Sequence, residues 1–286
     1  MSTKAFPIGI ILESLRLPTP KALDTIRDLG VQGLQVYATH GELSPKKLTP
    51  AGKAEFLRMV KDRGLVISAL CGDLGHGFGD PQKNPQLIED SKRILDLAKE
   101  WETDIVTTHI GVVPNDPKHP RYAIMQDACG QLAAYADSLG AHFAVETGPE
   151  TADTLCGFLD SLNSTGVAVN LDPANLVMVT GDDPVRAVHT LKKYIVHTHA
   201  KDGRKLFDKD PELIYGIAFE DAVTDAAFIE LPLGEGDVPF DRYLEALRAI
   251  GYDGFLTIER EVGDQPVRDI AAAVDFLRQQ WNGGAQ

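Results

Sequence analysis

The chain has 286 residues, 43% of them hydrophobic and 24% charged, with a formal net charge of −14. That apolar content supports an ample core, while the acidic balance argues against a sequence-independent grip on nucleic acid, which needs clustered Lys and Arg. No apolar run approaches the about 18 residues of a membrane span, and Glu13 interrupts the short apolar start, so neither a span nor a signal peptide is expected. Cys71, Cys129 and Cys156 are odd in number and lack metal-type spacing. They read as free thiols of a reducing compartment, and a cytoplasmic location is the expectation.

The first strand is expected near residues 6–12, and a helix near 20–29 follows the punctuation of Pro18 and Pro20. Gly30 stops that helix as a left-handed C′ glycine would. The device recurs at Gly64 in K-D-R-G-L, Gly140 in D-S-L-G-A and Gly251 in R-A-I-G-Y. Each is a helix tail, a glycine and an apolar strand in close succession, so β and α alternate along the chain. The remaining strands fall near 33–37, 65–70, 104–109, 141–146, 166–171, 194–199 and 255–259. The remaining helices fall near 50–63, 86–100, 121–139, 151–162, 183–192, 239–250 and 266–281. The helix near 121–139 sets Ile124, Ala128, Leu132, Ala136 and Leu139 along one face. Eight strands alternating with eight helices predict an α/β fold, a single-domain (β/α)8 TIM barrel over 1–286. No G-x-G-x-x-G follows the first strand, which weakens a dinucleotide-binding sheet.

Two connections are long for this fold. Leu70 to Pro85 is glycine-rich and carries His76 and Phe78; an extended loop at about 203–232 carries Asp208, Asp210, Glu212, Glu220, Asp221 and Asp225. Both follow a strand's C-terminal end, where barrel enzymes place active-site loops, and each reads equally as a lid, an oligomer contact or a solvated excursion. Residues 282–286 read as a loose tail.

The strand Y-I-V-H-T-H-A-K-D gives His197, His199 and Lys201 one parity, and three further strands end on acids: F-A-V-E at Glu146, V-A-V-N-L-D at Asp172 and F-L-T-I-E at Glu259. An acid at a strand end is often only a turn former or helix cap, and Asp172 before Pro173 suits that role. Together, however, Glu146, Asp172, His199 and Glu259 end the last four strands at one face of a barrel, with Val145, Leu171 and Ile258 turned to the helices. Three carboxylates and an imidazole suit one hard or borderline divalent cation: Mn2+ first, then Mg2+, Co2+ or Zn2+. His109 closes the fourth strand facing inward, and Lys201 shares the parity of His199, so both are substrate-binding candidates. A structural histidine and a rim salt bridge are their plainer readings. His197 lies a layer deeper, Gln35 and Tyr37 share a face toward the mouth, and Arg204 is a weaker candidate there.

The sequence resembles the xylose isomerase-like TIM-barrel superfamily, in its sugar phosphate isomerase/epimerase family. The resemblance rests on A-V-E-T at Glu146, N-L-D-P-A-N at Asp172, H-T-H-A-K-D at His199 and L-G-E-G-D-V-P-F followed by L-R-A-I-G-Y-D-G-F-L-T-I-E at Glu259. It implies that these four residues bind one divalent metal and that Glu146 and Glu259 are the catalytic acid/base pair across a bound sugar. Many relatives carry a histidine three positions after the sixth-strand aspartate; here Asn175 stands there, which counts against a polynuclear zinc site and a DNA-cleaving role. Asn175 is a third substrate-binding candidate, with a helix cap as its alternative.

The expected activity is therefore a metal-dependent isomerase or epimerase of a sugar, a sugar phosphate or a keto-cyclitol, working by proton transfer through an enediolate. A dehydratase of the inosose or dehydroshikimate kind and a non-catalytic sugar-binding relative are the alternatives. The expected partner is a small carbohydrate, with no nucleic acid or membrane; a dimer or tetramer is expected by family analogy alone.

Overall fold

In the computed structural model the described residues are 5–218 and 225–282, with side chains described to residue 280. Glu220, Asp221 and the tail beyond residue 282 lie outside them. Eight parallel strands close into a barrel: β1 (Ile8–Ile11), β2 (Gly33–Tyr37), β3 (Val66–Cys71), β4 (Ile105–Thr108), β5 (His142–Glu146), β6 (Val167–Leu171), β7 (Ile195–Ala200) and, after an inserted hairpin, β10 (Leu256–Ile258). Neighbours in the sequence are neighbours in the barrel, and β1 closes it against β10 through Ile8 and Leu256, Gly9 and Thr257, and Ile10 and Ile258. The expected single TIM barrel is the observed fold, each strand within about two residues of its predicted place.

The helices surround this cylinder: α1 (Thr19–Asp28), α2 (Pro50–Lys61), α3 (Asn84–Glu100), α4 (Pro120–Ser138), α5 (Ala152–Leu162), α6 (Pro173–Asn175), α7 (Pro184–Leu191), α8 (Pro211–Ile214), α9 (Phe240–Ala249) and α10 (Pro266–Asn282). Gly30, Gly64, Gly140 and Gly251 have φ of +67°, +69°, +60° and +77°, the left-handed conformation that ends a helix without a Cβ clash. The core lies between helices and barrel, where Val145, Leu171 and Ile258 are buried among aliphatic neighbours. Their alternation sends Glu146, Asp172 and Glu259 to the interior.

Close packing of α4 on the start of β6 leaves no room at Gly166. A Cβ there would lie 2.0 Å from the Ala133 carbonyl oxygen and 2.4 Å from the Asp137 nitrogen, both backbone atoms. Gly166→Ala is expected to lower stability by about 2–3 kcal/mol in denaturant unfolding, because two backbones must separate. An unchanged midpoint would mean that α4 shifts freely.

Both long connections carry defined packing or regular structure among the described residues. Phe78 is buried and packs edge-on against Phe143 with ring centres 6.0 Å apart, while its backbone N–H donates to the Ile110 carbonyl. Phe143 shares the outward parity of Val145, so the segment between β3 and β4 is anchored in the layer between barrel and helices. The 203–232 excursion, which showed no core pattern in sequence, begins and ends as an antiparallel hairpin, β8 (Asp202–Lys205) with β9 (Phe228–Leu231). Between them α8 reaches across the mouth, where Glu212 pairs with Arg121 at the start of α4.

Candidate active site

Strand ends deliver the four expected ligands to one point. Glu146, Asp172, His199 and Glu259 are all buried, and one donor atom from each lies within 4.8 Å of the others. His199 Nδ1 sits among the three acids, 3.1 Å from Glu259 Oε2, 3.3 Å from Asp172 Oδ2 and 3.6 Å from Glu146 Oε1. A cation bonded at about 2.1 Å holds its ligands roughly 3–4 Å apart, so a small contraction closes the set. Glu259 Oε2 is buried between two cationic partners, His199 Nδ1 and Lys201 Nζ, each at 3.1 Å, a position where a divalent ion would be equally welcome. The donor set fits a divalent cation.

A second layer holds these groups. His199 Nε2 lies 3.1 Å from Gln35 Oε1; protonated there, the ring donates to Gln35 and presents Nδ1 to the acids. Gln35 in turn donates to Thr107 Oγ1. Asn170 Nδ2 donates to Glu146 Oε2 at 3.1 Å, and Asn170 Oδ1 lies 2.9 Å from His197 Nδ1. His197 Nε2 lies 2.9 Å from Thr257 Oγ1, so His197 is a neutral link in this chain rather than a ligand. Burial, reinforced by the neighbouring charge of His199, pushes its pKa well down.

The side chain of Asn175 caps no helix, contrary to its alternative reading. Its backbone N–H donates to Asp172 Oδ1 at 2.8 Å, so Asp172 caps α6, and its Nδ2 donates to Glu146 Oε1 at 3.0 Å at the cavity wall. His109 also reaches the cavity: Nδ1 is 3.1 Å from Asp73 Oδ2, while Nε2 is buried, unpartnered and 3.7 Å from Glu146 Oε1. The Tyr215 ring leans over His109, with centres 5.6 Å apart. Lys201 is buried, with Nζ 3.1 Å from Glu259 Oε2 and 2.5 Å from Glu261 Oε2. Arg204 instead faces outward to Asp237 and does not line the cavity.

Charge balance sets the protonation of the group. Burial opposes ionisation of Glu259, but Lys201 and His199 outweigh it and hold its pKa far below the usual carboxylate range. Glu146 is also lowered, since His109 and His199 overcome the same burial penalty. Burial wins at Asp172, whose pKa rises despite its contacts with His199 and Lys201. His109 is pushed up to about 9, as Glu146 and Asp73 outweigh its desolvation.

Asp73, Asn170 and Tyr215 join the site without having been singled out in the sequence. Asn170 shares the parity of Asp172 and so points inward by the same alternation, whereas Asp73 and Tyr215 lie in connections where alternation gives no direction. Glu150 lies behind the site, accepting from Val113 N at 3.1 Å with its other oxygen unpartnered. Burial raises its pKa from 4.5 to about 8. Between those values the folded protein holds a proton that the unfolded chain has lost, so stability falls as pH rises and then levels off. Glu150→Gln keeps the acceptor without the charge; it is expected to match the wild type near pH 5 and to exceed it by a few kcal/mol near pH 9. Parallel pH–stability curves would place Glu150 in contact with water.

A cavity of about 660 Å³ opens onto these residues, walled on its far side by Met178, Val179, Ile214, Phe228, Ile229 and Val262. The sequence model of a family described as xylose isomerase-like TIM barrel matches residues 23–280. The crystal structure of a xylose isomerase domain protein from Planctomyces limnophilus superposes with a TM-score of 0.80 at 26% identity, covering 98% of this chain and 99% of that one. A D-tagatose 3-epimerase-like protein superposes with a TM-score of 0.74 at 17% identity, over 96% of this chain and 97% of that one, a likeness of fold. An inosose dehydratase of Lacticaseibacillus casei is 28% identical over 120 residues, 42% of this chain and 39% of its own.

Proposed function

This chain belongs to the xylose isomerase-like TIM-barrel family, and from that premise we propose that its barrel mouth is the active site of a divalent-metal-dependent isomerase or epimerase of a keto-sugar or keto-cyclitol. The observation that carries the reading is the convergence of Glu146, Asp172, His199 and Glu259 at the floor of one cavity. Those four residues would hold the ion, with Mn2+ the first candidate. When bound, such a cation supplies Lewis-acid stabilisation of the negative charge that develops on a carbonyl oxygen.

The chain's own groups supply the proton transfers. Around the barrel the order is β10, β7, β6, β5, so Glu259 and Glu146 sit at opposite ends of the ligand arc. A substrate lying across that arc meets one carboxylate on each side. One takes the proton from the carbon next to the carbonyl, and the other returns a proton to the opposite face, inverting that centre. Return to the neighbouring carbon gives isomerisation instead. His109 Nε2, held by Asp73 through its other nitrogen, and the Asn175 amide are polar groups at the wall for substrate oxygens. Lys201 keeps Glu259 ionised and able to accept a proton.

The test is solvent deuterium entering the carbon next to the carbonyl of ketoses and inososes, followed by NMR with the manganese-loaded protein. Exchange without change of mass beyond the label supports the reading. Loss of water from the same enolate would assign a dehydratase, the second reading, which the inosose dehydratase relative favours. Ligand binding with no exchange would make the protein a sugar binder.

A further inference from the structure

The sequence leaves open whether the substrate is phosphorylated. TIM barrels that take phosphates commonly hold them on backbone N–H groups after the seventh and eighth barrel strands. Here such a nest exists, and the protein fills it itself. Asp202, at the start of β8, points its carboxylate into the turn of L-G-E-G-D-V: Oδ1 accepts from Gly203 N at 2.8 Å and Val238 N at 3.1 Å, and Oδ2 accepts from Gly234 N at 2.9 Å and Gly236 N at 3.0 Å. Four converging amides make an anion site, and its anion is a side chain only 1% exposed. The turn is wrapped too tightly for exchange. A Cβ at Gly236 would lie 2.1 Å from Asp202 Oδ1 and 2.5 Å from Gly203 N.

The same pattern runs around the mouth. Tyr37 N donates to Glu13, Gly75 N to Asp73, Val113 N to Glu150, Asn175 N to Asp172 and Glu261 N to Glu230. These backbone donors are thus taken by internal carboxylates. Cationic side chains are taken as well. Lys201 lies between Glu259 and Glu261, Arg260 between Glu230 and Asp269, and His109 between Asp73 and Glu146. A divalent ion on the floor would be held by Glu146, Asp172 and Glu259, three carboxylates that would offset its charge. No surplus positive charge faces the cavity among the described residues, and its far wall is aliphatic and aromatic.

Resting on the isomerase or epimerase reading above, we infer that the substrate is an uncharged polyhydroxy ketone, open-chain or cyclic, carrying neither phosphate nor carboxylate. A phosphate brought here loses its water and meets no unpaired cation: the open donors among the described residues are the neutral hydroxyls of Tyr37 and Tyr215 and a His109 Nε2 already facing Glu146, groups that suit sugar hydroxyls. The aliphatic wall faces the C–H edge of such a molecule.

The experiment uses the manganese-loaded wild-type protein and matched pairs: a free ketose and its terminal phosphate ester, and an inosose and a carboxylated cyclic ketone. Solvent-deuterium exchange gives kcat/KM and calorimetry gives Kd for each member. Exchange is expected to favour the neutral member of each pair by about 100-fold or more, the scale on which sites reject groups they leave unpaired. A charged member that exchanges as well as its neutral counterpart overturns the inference. If no compound exchanges, the enolisation reading fails by itself, and the Kd values still decide: tighter neutral members uphold the inference, while tighter charged members, or no binding of either, overturn it.

Discussion

Glu146→Gln and Glu259→Gln are each expected to cut kcat for solvent-deuterium exchange by about 10³-fold or more, near the upper end of what one positioned acid or base contributes. Both residues are also proposed ligands, so lost activity alone does not separate a missing base from a missing ion. The surroundings do. Glutamine at 146 keeps an acceptor for one of the two amides that now reach separate oxygens, Asn170 at 3.1 Å and Asn175 at 3.0 Å, and strands no buried cation. At 259 it loses the charge that holds buried Lys201, whose pKa is well raised because Glu259 and Asp172 outweigh its desolvation. Glu259→Gln should therefore be the less stable variant, and Glu146→Gln the cleaner probe of the base. Elemental analysis at saturating Mn2+ completes the test. A metal-loaded Glu146→Gln protein that exchanges at the wild-type rate would remove Glu146 from the chemistry.

The two variants also mark what sequence alone can supply. Glu146, Asp172, His199 and Glu259 were legible because each ends an apolar run whose period of two fixes its direction, and because glycine-stopped helices number the strands. Pairing then needs no long-range knowledge, since barrel neighbours are chain neighbours. The hairpin was not legible. Its strands are four residues each, and β8 finds its partner more than twenty residues later, so no local pattern announces it. Asp202 illustrates the difference most sharply. In sequence it is one more acid after H-T-H-A-K, yet its neighbour Gly203 and three amides of a turn more than thirty residues on converge on it. Glu13 and Glu150 are hidden for the same reason, being acids whose burial depends on which loops cover them. Burial raises Glu13 to about 7.

Stripping the metal is expected to abolish exchange, by about 10³-fold or more, while leaving the barrel folded. The first half follows from the chemistry: carboxylates that take a proton from carbon need the resulting charge stabilised at the oxygen, and the cationic donors at the described cavity wall, His109 and Lys201, are already paired with carboxylates. The second half follows from the contacts around the ligands. Asp172 is fixed by Thr147 and the Asn175 amide, Glu146 by two asparagines, and His199 by Gln35. Without the ion, the imidazole stands among the three acids as their cation, with its pKa held well up by Glu259 and Glu146 against desolvation. Far-UV dichroism should be unchanged after chelation, and the unfolding free energy should fall by only the linkage contribution, about 4 kcal/mol at a thousandfold excess of metal over Kd. Returning Mn2+ should restore exchange in proportion to the ion bound, with one ion per chain at saturation. Undiminished exchange in protein shown to be metal-free would sink the assignment, because the four ligands would then be a hydrogen-bonded polar floor and nothing more.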